Sequence, residues 1–551
     1  MKKLLTVLYM ALIPLTGCTS EQKIDLASQQ IKLFEGLGNH NFPIATKHPL
    51  AQRYFNQGLI LAYAFNHRES ERSFRAASRI DPECPMCYWG IAFALGPNIN
   101  AAMDGKAVPN AFQAVQQALA LSDHATGKEQ ALIKALRQRY ASIPVKDRSQ
   151  LDRAYADSMR DVVRSYPNDP DSGTLLADAL MNQHPWDYWT DEGSAKPWTA
   201  EIVATLETIL EYAPLHPGAN HLYIHAVEAS NDPERALPSA DRLSDLVPGA
   251  GHLVHMPAHI YIRTGHYQKA ITANQKAVKV DHDYIQHNHS EGIYPLAYIP
   301  HNHHFLWAVA SKAGRSADAL AAAKSTAAHV DTVAMRQPGM ATLEHYYAIP
   351  LYALVRFAKW DELLAWPLPE NDLRYLNAIW HYARGQAFVA KRNLGKAAQE
   401  LKELEKIAKE PTIAKMSIWS MNTIGQILAI AQTVLSSQIA ATKGDTTQSI
   451  ILLQKAVRLE DGLRYNEPSD WYHPVRQSLG AMLLKVEKPK LAEKVYREDL
   501  RRHPKNGWSL FGLMTSLQAQ NRLDEANQVK LRFKKAWADA DIEISELYLM
   551  N

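Results

Sequence analysis

Apolar and small residues in this chain recur on a long period as well as on the short helical one. Gly58, Phe74, Ala77 and Pro82 fall at offsets 0, 16, 19 and 24, with the small Ser70 at offset 12. Gly265-His266-Tyr267 followed by Ala270 and Ala277 repeats the middle of this pattern, Ala236 and Pro248 carry it one period earlier, and Pro214 lies 34 residues before Pro248. Further copies stand at Gly314/Ala319, Gly385/Ala397/Leu401 and Gly480/Ala492/Tyr496/Pro504, with a weaker one around Trp508, Gly512 and Ala526. The residue types have a physical reading. Small residues let two helices cross closely, an aromatic fills the gap beside them, and proline opens the next helix. Each unit of about 34 residues is a helix–turn–helix that cannot bury its apolar face alone, so neighbours must stack.

This is the tetratricopeptide pattern, and it predicts an all-α fold: a tetratricopeptide-repeat superhelix, or α-solenoid, with loop insertions. Three interruptions break the period. Gly96-Pro97-Asn98-Ile99-Asn100 is a run of turn residues; an aromatic-rich segment runs from His184-Pro185-Trp186 to about Pro197; and a His-, Tyr- and Pro-rich segment spans Tyr284 to Tyr298. Insertions in a solenoid gather on one face, often the binding face. The expected divisions are a leader over residues 1–17, a tether or lead-in over 18–48, N-terminal repeats with insertions over 49–213, His-rich central repeats over 214–330, and C-terminal repeats over 331–551.

The first residues read as an address. Lys2 and Lys3 precede an apolar stretch from Leu4 to Leu15 that is too short to span a bilayer, and Leu15-Thr16-Gly17-Cys18 then fits a bacterial lipobox. The expectation is a lipid-anchored protein: cleavage before Cys18, acylation of Cys18, and a periplasm-facing body. Thr19 stands where Gram-negative lipoproteins retained at the inner membrane carry Asp, which favours the outer membrane. No later apolar run approaches about 18 residues, so no second span is expected.

Composition narrows the rest. Hydrophobic residues are 46% and charged residues 21% of 551, enough for a core and against disorder. The formal charge of +3 argues against a nucleic-acid partner, which would require a basic stripe. With Cys18 lipidated, Cys84 and Cys87 remain, in a lone CxxC followed by Tyr88; covalent haem attachment would need His there. A local disulfide, a soft-metal or redox site, and inert thiols all remain open. No Gly-x-Ser-x-Gly elbow, P-loop or dinucleotide fingerprint is present.

Four stretches have more specific wording than generic repeats: residues 55–100, 216–230 (HPGANHLYIHAVEAS), 248–267 (PGAGHLVHMPAHIYIRTGHY) and 300–308 (PHNHHFLWA). In these the chain resembles a family of exported bacterial tetratricopeptide lipoproteins. The resemblance implies the fold over most of the mature chain and supplies no reaction.

Histidine carries the candidate chemistry. Of 23 His residues, 13 lie between His216 and His304. In a tetratricopeptide unit the first helix lines the concave groove through its second, fifth, ninth and twelfth places. The repeat frame puts His221, His225 and Glu228 in the fifth, ninth and twelfth; His252, His255 and His259 in the second, fifth and ninth of the next unit; and His301 and His304 in the second and fifth of the one after. His345 falls in a second place further on. His221 to His255 and His225 to His259 are both 34 residues apart. Residues i and i+4 share a helix face, so each pair can grip one ion. The expected ligands are His221, His225, Glu228, His252, His255, His259, His301 and His304. The expected cofactor is a divalent transition metal (zinc, iron or copper), with Glu228 as a ligand or as a general base toward metal-bound water. Pro257 sits inside the His255/His259 pair and must break a helical hydrogen bond, either splaying the rings or aiming them at one point. His303 and His266 are off phase, and His287, His289 and Glu291 lie in the third insertion. Three classes of function follow: a metal-binding solenoid, extending to a mononuclear or dinuclear metalloenzyme; an adaptor whose groove takes a peptide or protein; and a metal buffer or chaperone without chemistry.

Overall fold

The computed structural model describes residues 31–287 and 292–544; Cys18, His289 and Glu291 lie outside them. From Leu33 onward the chain is one unit. It is an all-α tetratricopeptide-repeat superhelix built of antiparallel helix pairs, such as Pro49–Tyr63 with His67–Ile80, Ile299–Lys312 with Ser316–Ala328, and Arg374–Ala390 with Leu394–Ala408. Among the described residues strand pairing amounts to a two-residue hairpin, Ser417–Ile418 with Asn422–Thr423, and two isolated bridges.

The repeat residues do what their types require. A Cβ at Gly58 would come within 2.8 Å of the Phe74 ring and one at Gly90 within 2.2 Å, so both flanking helices close on that aromatic. Gly480 and Gly512 stand in the same relation to Tyr496, at 2.4 and 2.1 Å. Proline opens many of the helices, among them Pro49–Tyr63, Pro85–Ala94, Pro217–Val227 and Pro489–Arg502, where its missing N–H costs nothing. Turns between paired helices carry a left-handed residue: Gly265, Gly314 and Gly444, but also Phe65 at φ 55°. Cys84 and Cys87 form a disulfide at the start of Pro85–Ala94.

One expectation about apolar runs is corrected. The helix Ile424–Thr442 is long and apolar enough, by length and composition, to cross a membrane. It is 67% buried and packs on Arg374–Ala390, Leu394–Ala408 and Thr446–Asp461, which makes it a core helix of the solenoid.

The C-terminal repeats return to the central ones. Tyr267 donates to the Pro504 carbonyl at 2.9 Å, Trp508 Nε1 donates to the Ser311 carbonyl at 2.9 Å, and the Asp541 carboxylate accepts from the amides of Ser316 and Ala317. Residues 33–48 lie along the first repeats, with Phe42 fully buried and the Phe34 amide donating to Gln57. The inner face of the central repeats thereby becomes an interior.

Candidate metal centre

The helix Pro217–Val227 carries His221 and His225 one turn apart, and Glu228 caps its end. The corresponding helix of the next unit is split at Met256 into Gly251–His255 and Pro257–Arg263, since Pro257 has no N–H to continue the ladder. Met256 keeps helical dihedrals across the break, so the i,i+4 rings of His255 and His259 stay 4.9 Å apart, as close as those of His221 and His225 at 4.8 Å, with His255 Nε2 and His259 Nε2 2.9 Å apart. His301, on Ile299–Lys312, brings its Nε2 to 3.2 Å from His255 Nε2. Two nitrogens bound to one ion at 2.0–2.1 Å and a tetrahedral angle would be separated by about 3.3 Å.

The protons decide what this approach means. His255 donates from Nδ1 to Asn274 Oδ1 at 2.7 Å, and Asn274 is oriented by its own Nδ2–H bond to the Ala270 carbonyl at 2.8 Å. His259 donates from Nδ1 to Glu228 Oε2 at 2.6 Å. Each neutral imidazole has one N–H, so both facing Nε2 atoms carry lone pairs. Two acceptors at 2.9 Å repel unless a cation lies between them. Burial, followed by the neighbouring His259, holds His255 itself well below its ordinary range of protonation. Burial does the same for His301. Neutral imidazole is the ligating form.

A second group has the same construction. His221 donates from Nδ1 to the Tyr63 carbonyl at 2.5 Å, and His225 from Nδ1 to Glu228 Oε1 at 2.7 Å. His221 Nε2 is 3.2 Å from His252 Nε2, while His225 Nε2 and His252 Nδ1 are buried with no hydrogen-bond partner. The ligand atoms of His221, His225 and His252 lie within 4.8 Å of one another, as do those of His255, His259 and His301.

Glu228 stands between the two groups. It is 0% exposed and accepts from His225, His259 and the Tyr465 hydroxyl, the last at 2.9 Å. Burial pushes its carboxyl up, but the contacts with His259 and His225 outweigh it and hold the group well below the usual carboxylate range. Its oxygens are taken by N–H and O–H donors, the two N–H bonds at the short lengths of charge-assisted ones. Glu228 thus fixes the tautomer and orientation of two imidazoles, as outer carboxylates do around histidine-bound metals, and its carboxylate with His225 and His259 is itself a group whose ligand atoms lie within 4.8 Å of one another.

Other expected residues go elsewhere. His304 packs against Trp307, Tyr346 and His345 at ring separations of 5.6, 5.2 and 5.6 Å, apart from both triads, because it leaves the shared face one turn beyond His301. His345 bonds to the Tyr375 hydroxyl. His303 stacks on His329. The groove is enclosed at this point: none of the eight expected ligands is more than 9% exposed, and His301 is the most exposed. Phe65 stands over His221, His225 and His252 at ring separations of 4.6, 5.8 and 5.3 Å. All three interruptions of the period meet here: Trp186 Nε1 donates to Asn100 Oδ1, Asn100 Nδ2 donates to the Tyr298 hydroxyl, and the Trp186 and Tyr298 rings lie on His225 and His252.

Sequence reading missed Asn274, Tyr465 and Phe65, and a further cluster of His40, Asp171 and His216. In that cluster Asp171 Oδ1 accepts from His40 Nε2, His216 Nε2 and the Tyr63 hydroxyl, and His216 Nδ1 accepts from the Ala219 amide. Hydrogen bonds account for it without an ion. No periodic signal marks it, since His40 lies ahead of the repeats and His216 at an inter-repeat turn.

No family model matches this chain, and no curated protein matches it. Among solved structures it is similar to the human IFIT1 dimer with m7Gppp-AAAA, at 12% identity over 90% of this chain and 91% of that one, with a TM-score of 0.31. It is also similar to the Cut9–Hcn1 hetero-tetramer of APC/C, at 12% identity over 85% and 76% with a TM-score of 0.31. The P58(IPK) TPR domain is similar at 12% identity over 86% and 98%, with a TM-score of 0.23.

Proposed function

We propose that this protein is a lipid-anchored, periplasm-facing tetratricopeptide scaffold that holds a divalent transition metal in its interior, with His255, His259 and His301 as ligands through Nε2. The observation that supports this most is the 2.9 Å approach of two Nε2 atoms whose Nδ1 protons are committed to Asn274 and Glu228. An all-imidazole set suits zinc and copper, and the two-histidine, one-carboxylate set of iron would need Glu228 as a ligand. Three imidazoles leave the fourth position of a tetrahedral ion to an outside molecule, as in catalytic zinc sites. Anchoring rests on Cys18 behind the basic-apolar leader.

Elemental analysis of purified protein after loading with zinc or copper tests the centre. Bound metal in the wild type and its loss at this site in His255→Ala or His259→Ala are expected. No metal after loading would overturn the reading and leave an adaptor that takes a protein or peptide on its repeats. Detergent phase separation tests the anchor: the wild type should enter the detergent phase, and Cys18→Ser should not.

A further inference from the structure

We infer that the histidine cluster is two metal sites rather than one, the second formed by His221, His225 and His252, and that Glu228 couples them. This rests on the metal-binding reading above and adds the number of ions and the link between them.

The imidazole ring forces the count. Nδ1 and Nε2 point to opposite sides of the ring, so a histidine whose Nδ1 faces a central carboxylate must turn its Nε2 outward. Glu228 takes Nδ1 of His225 on one oxygen and Nδ1 of His259 on the other. The two Nε2 atoms therefore face away from each other, into separate groups of partners: His221 and His252 on one side, His255 and His301 on the other. One ion cannot reach both.

Hydrogen bonding does not satisfy the second group. With the Nδ1 protons of His221 and His225 fixed on Tyr63 and Glu228, His252 has one proton left to give. If it lies on Nε2 it can serve His221 at 3.2 Å, but then His252 Nδ1 and His225 Nε2 are two buried lone pairs without donors. Buried acceptors left unmet cost about 1–3 kcal/mol each. A cation shared by the three Nε2 atoms satisfies His221, His225 and His252 there and leaves one buried group unmet, the His252 Nδ1–H, in place of two. The contrast with His40, Asp171 and His216 is instructive, since there every ring nitrogen that faces a partner finds a complementary one.

Coupling follows from the shared carboxylate. An ion on His259 draws electron density through the ring and strengthens its Nδ1–H bond to Glu228, which changes what the same carboxylate offers His225. Loss of such an outer carboxylate commonly costs 10–100-fold in metal affinity, and here the loss should reach both sites.

The test is metal stoichiometry of the full chain, with zinc(II) and copper(I) as separate probes, followed by competition against a chelator. Two ions per chain are expected in the wild type, and one in each of His225→Ala, His252→Ala and His255→Ala. Glu228→Gln, which cannot accept from both N–H groups with both atoms, should weaken both steps by 10–100-fold. A wild type that saturates at one ion sinks this inference and leaves the single-site reading standing; a wild type that takes none sinks that reading too. Retention of two ions by His225→Ala would also overturn the second site. Because the primary measurement is on the wild type, a variant that fails to fold does not protect the claim.

Discussion

Replacing Asn274 by alanine removes the acceptor that keeps the His255 proton on Nδ1. Asn274 is fully buried, and its Oδ1 is the partner of that nitrogen at 2.7 Å. The consequences for the metal-free and metal-bound protein differ, and the difference is the test. Without metal, His255 in the variant can shift its proton to Nε2 and donate to the lone pair of His259 Nε2, which already stands 2.9 Å away. That new bond offsets much of the cost of the lost one, so metal-free stability should fall by only about 1–2 kcal/mol, the lower part of the range for a disturbed buried hydrogen bond. Metal binding must reverse the shift and bury an unpartnered Nδ1–H, which adds about 1–3 kcal/mol. The affinity of the His255/His259/His301 site should therefore drop 10- to 100-fold, in line with other outer-residue losses around histidine ligands. Chelator competition gives the affinity, and urea unfolding of metal-free protein gives the stability. Asn274→Asp keeps an acceptor and should retain binding. Wild-type affinity in Asn274→Ala, or a loss of stability without a loss of affinity, would refute the proton assignment.

Two further outcomes are expected. Gly90→Ala places a methyl 2.2 Å from the Phe74 ring between three helices; overpacking of this kind costs about 1–3 kcal/mol, and a comparable substitution at Gly339, which has nothing within 4 Å, should show less loss of packing in a thermal melt although its φ of 85° strains the backbone. Burial pushes the Asp281 carboxyl up to about 7, against the pull of hydrogen bonds from Tyr294 and Asn302. The native state then holds a proton that the unfolded chain releases near pH 4, so stability from this group falls as pH rises from about 4 to 7; Asp281→Asn should flatten that slope in urea titrations.

Much of this architecture is legible in the sequence because tetratricopeptide packing is local. Gly58, Phe74, Gly480 and Tyr496 meet neighbours fixed by the 34-residue period, and the period alone also gives the common phase of His221, His225, His255 and His259. What the period cannot give is the opposite wall. Tyr465 reaches Glu228 across 237 residues, and the Tyr63 carbonyl reaches His221 across 158. The same limit explains the enclosed site: the closure of Pro504 on Tyr267 and the stacking of the insertions are long-range contacts with no repeat signature. His304 diverges for a subtler reason, since a phase assigned from Gly314 places it on the groove-facing side without saying that His301 reaches the centre first.

The departures from repeat regularity converge on this interior. Pro257 interrupts the hydrogen-bond ladder between His255 and His259, and the two rings still face each other with Nε2 atoms 2.9 Å apart. Left-handed positions such as Gly265, Ala358 and Arg392 carry glycine or a small or polar residue, whereas Phe65, Trp186 and Trp419 are aromatic there, and Phe65 presents its ring to three histidines. The insertions bring Asn100, Trp186 and Tyr298 into one hydrogen-bonded chain above His225 and His252. A scaffold that only displayed its repeats would gain nothing from these changes, since burying imidazoles with unmet lone pairs destabilises the fold. Sites where local rules are broken at a cost to stability tend to be functional ones. Here the cost falls on the ring nitrogens that a metal ion would satisfy.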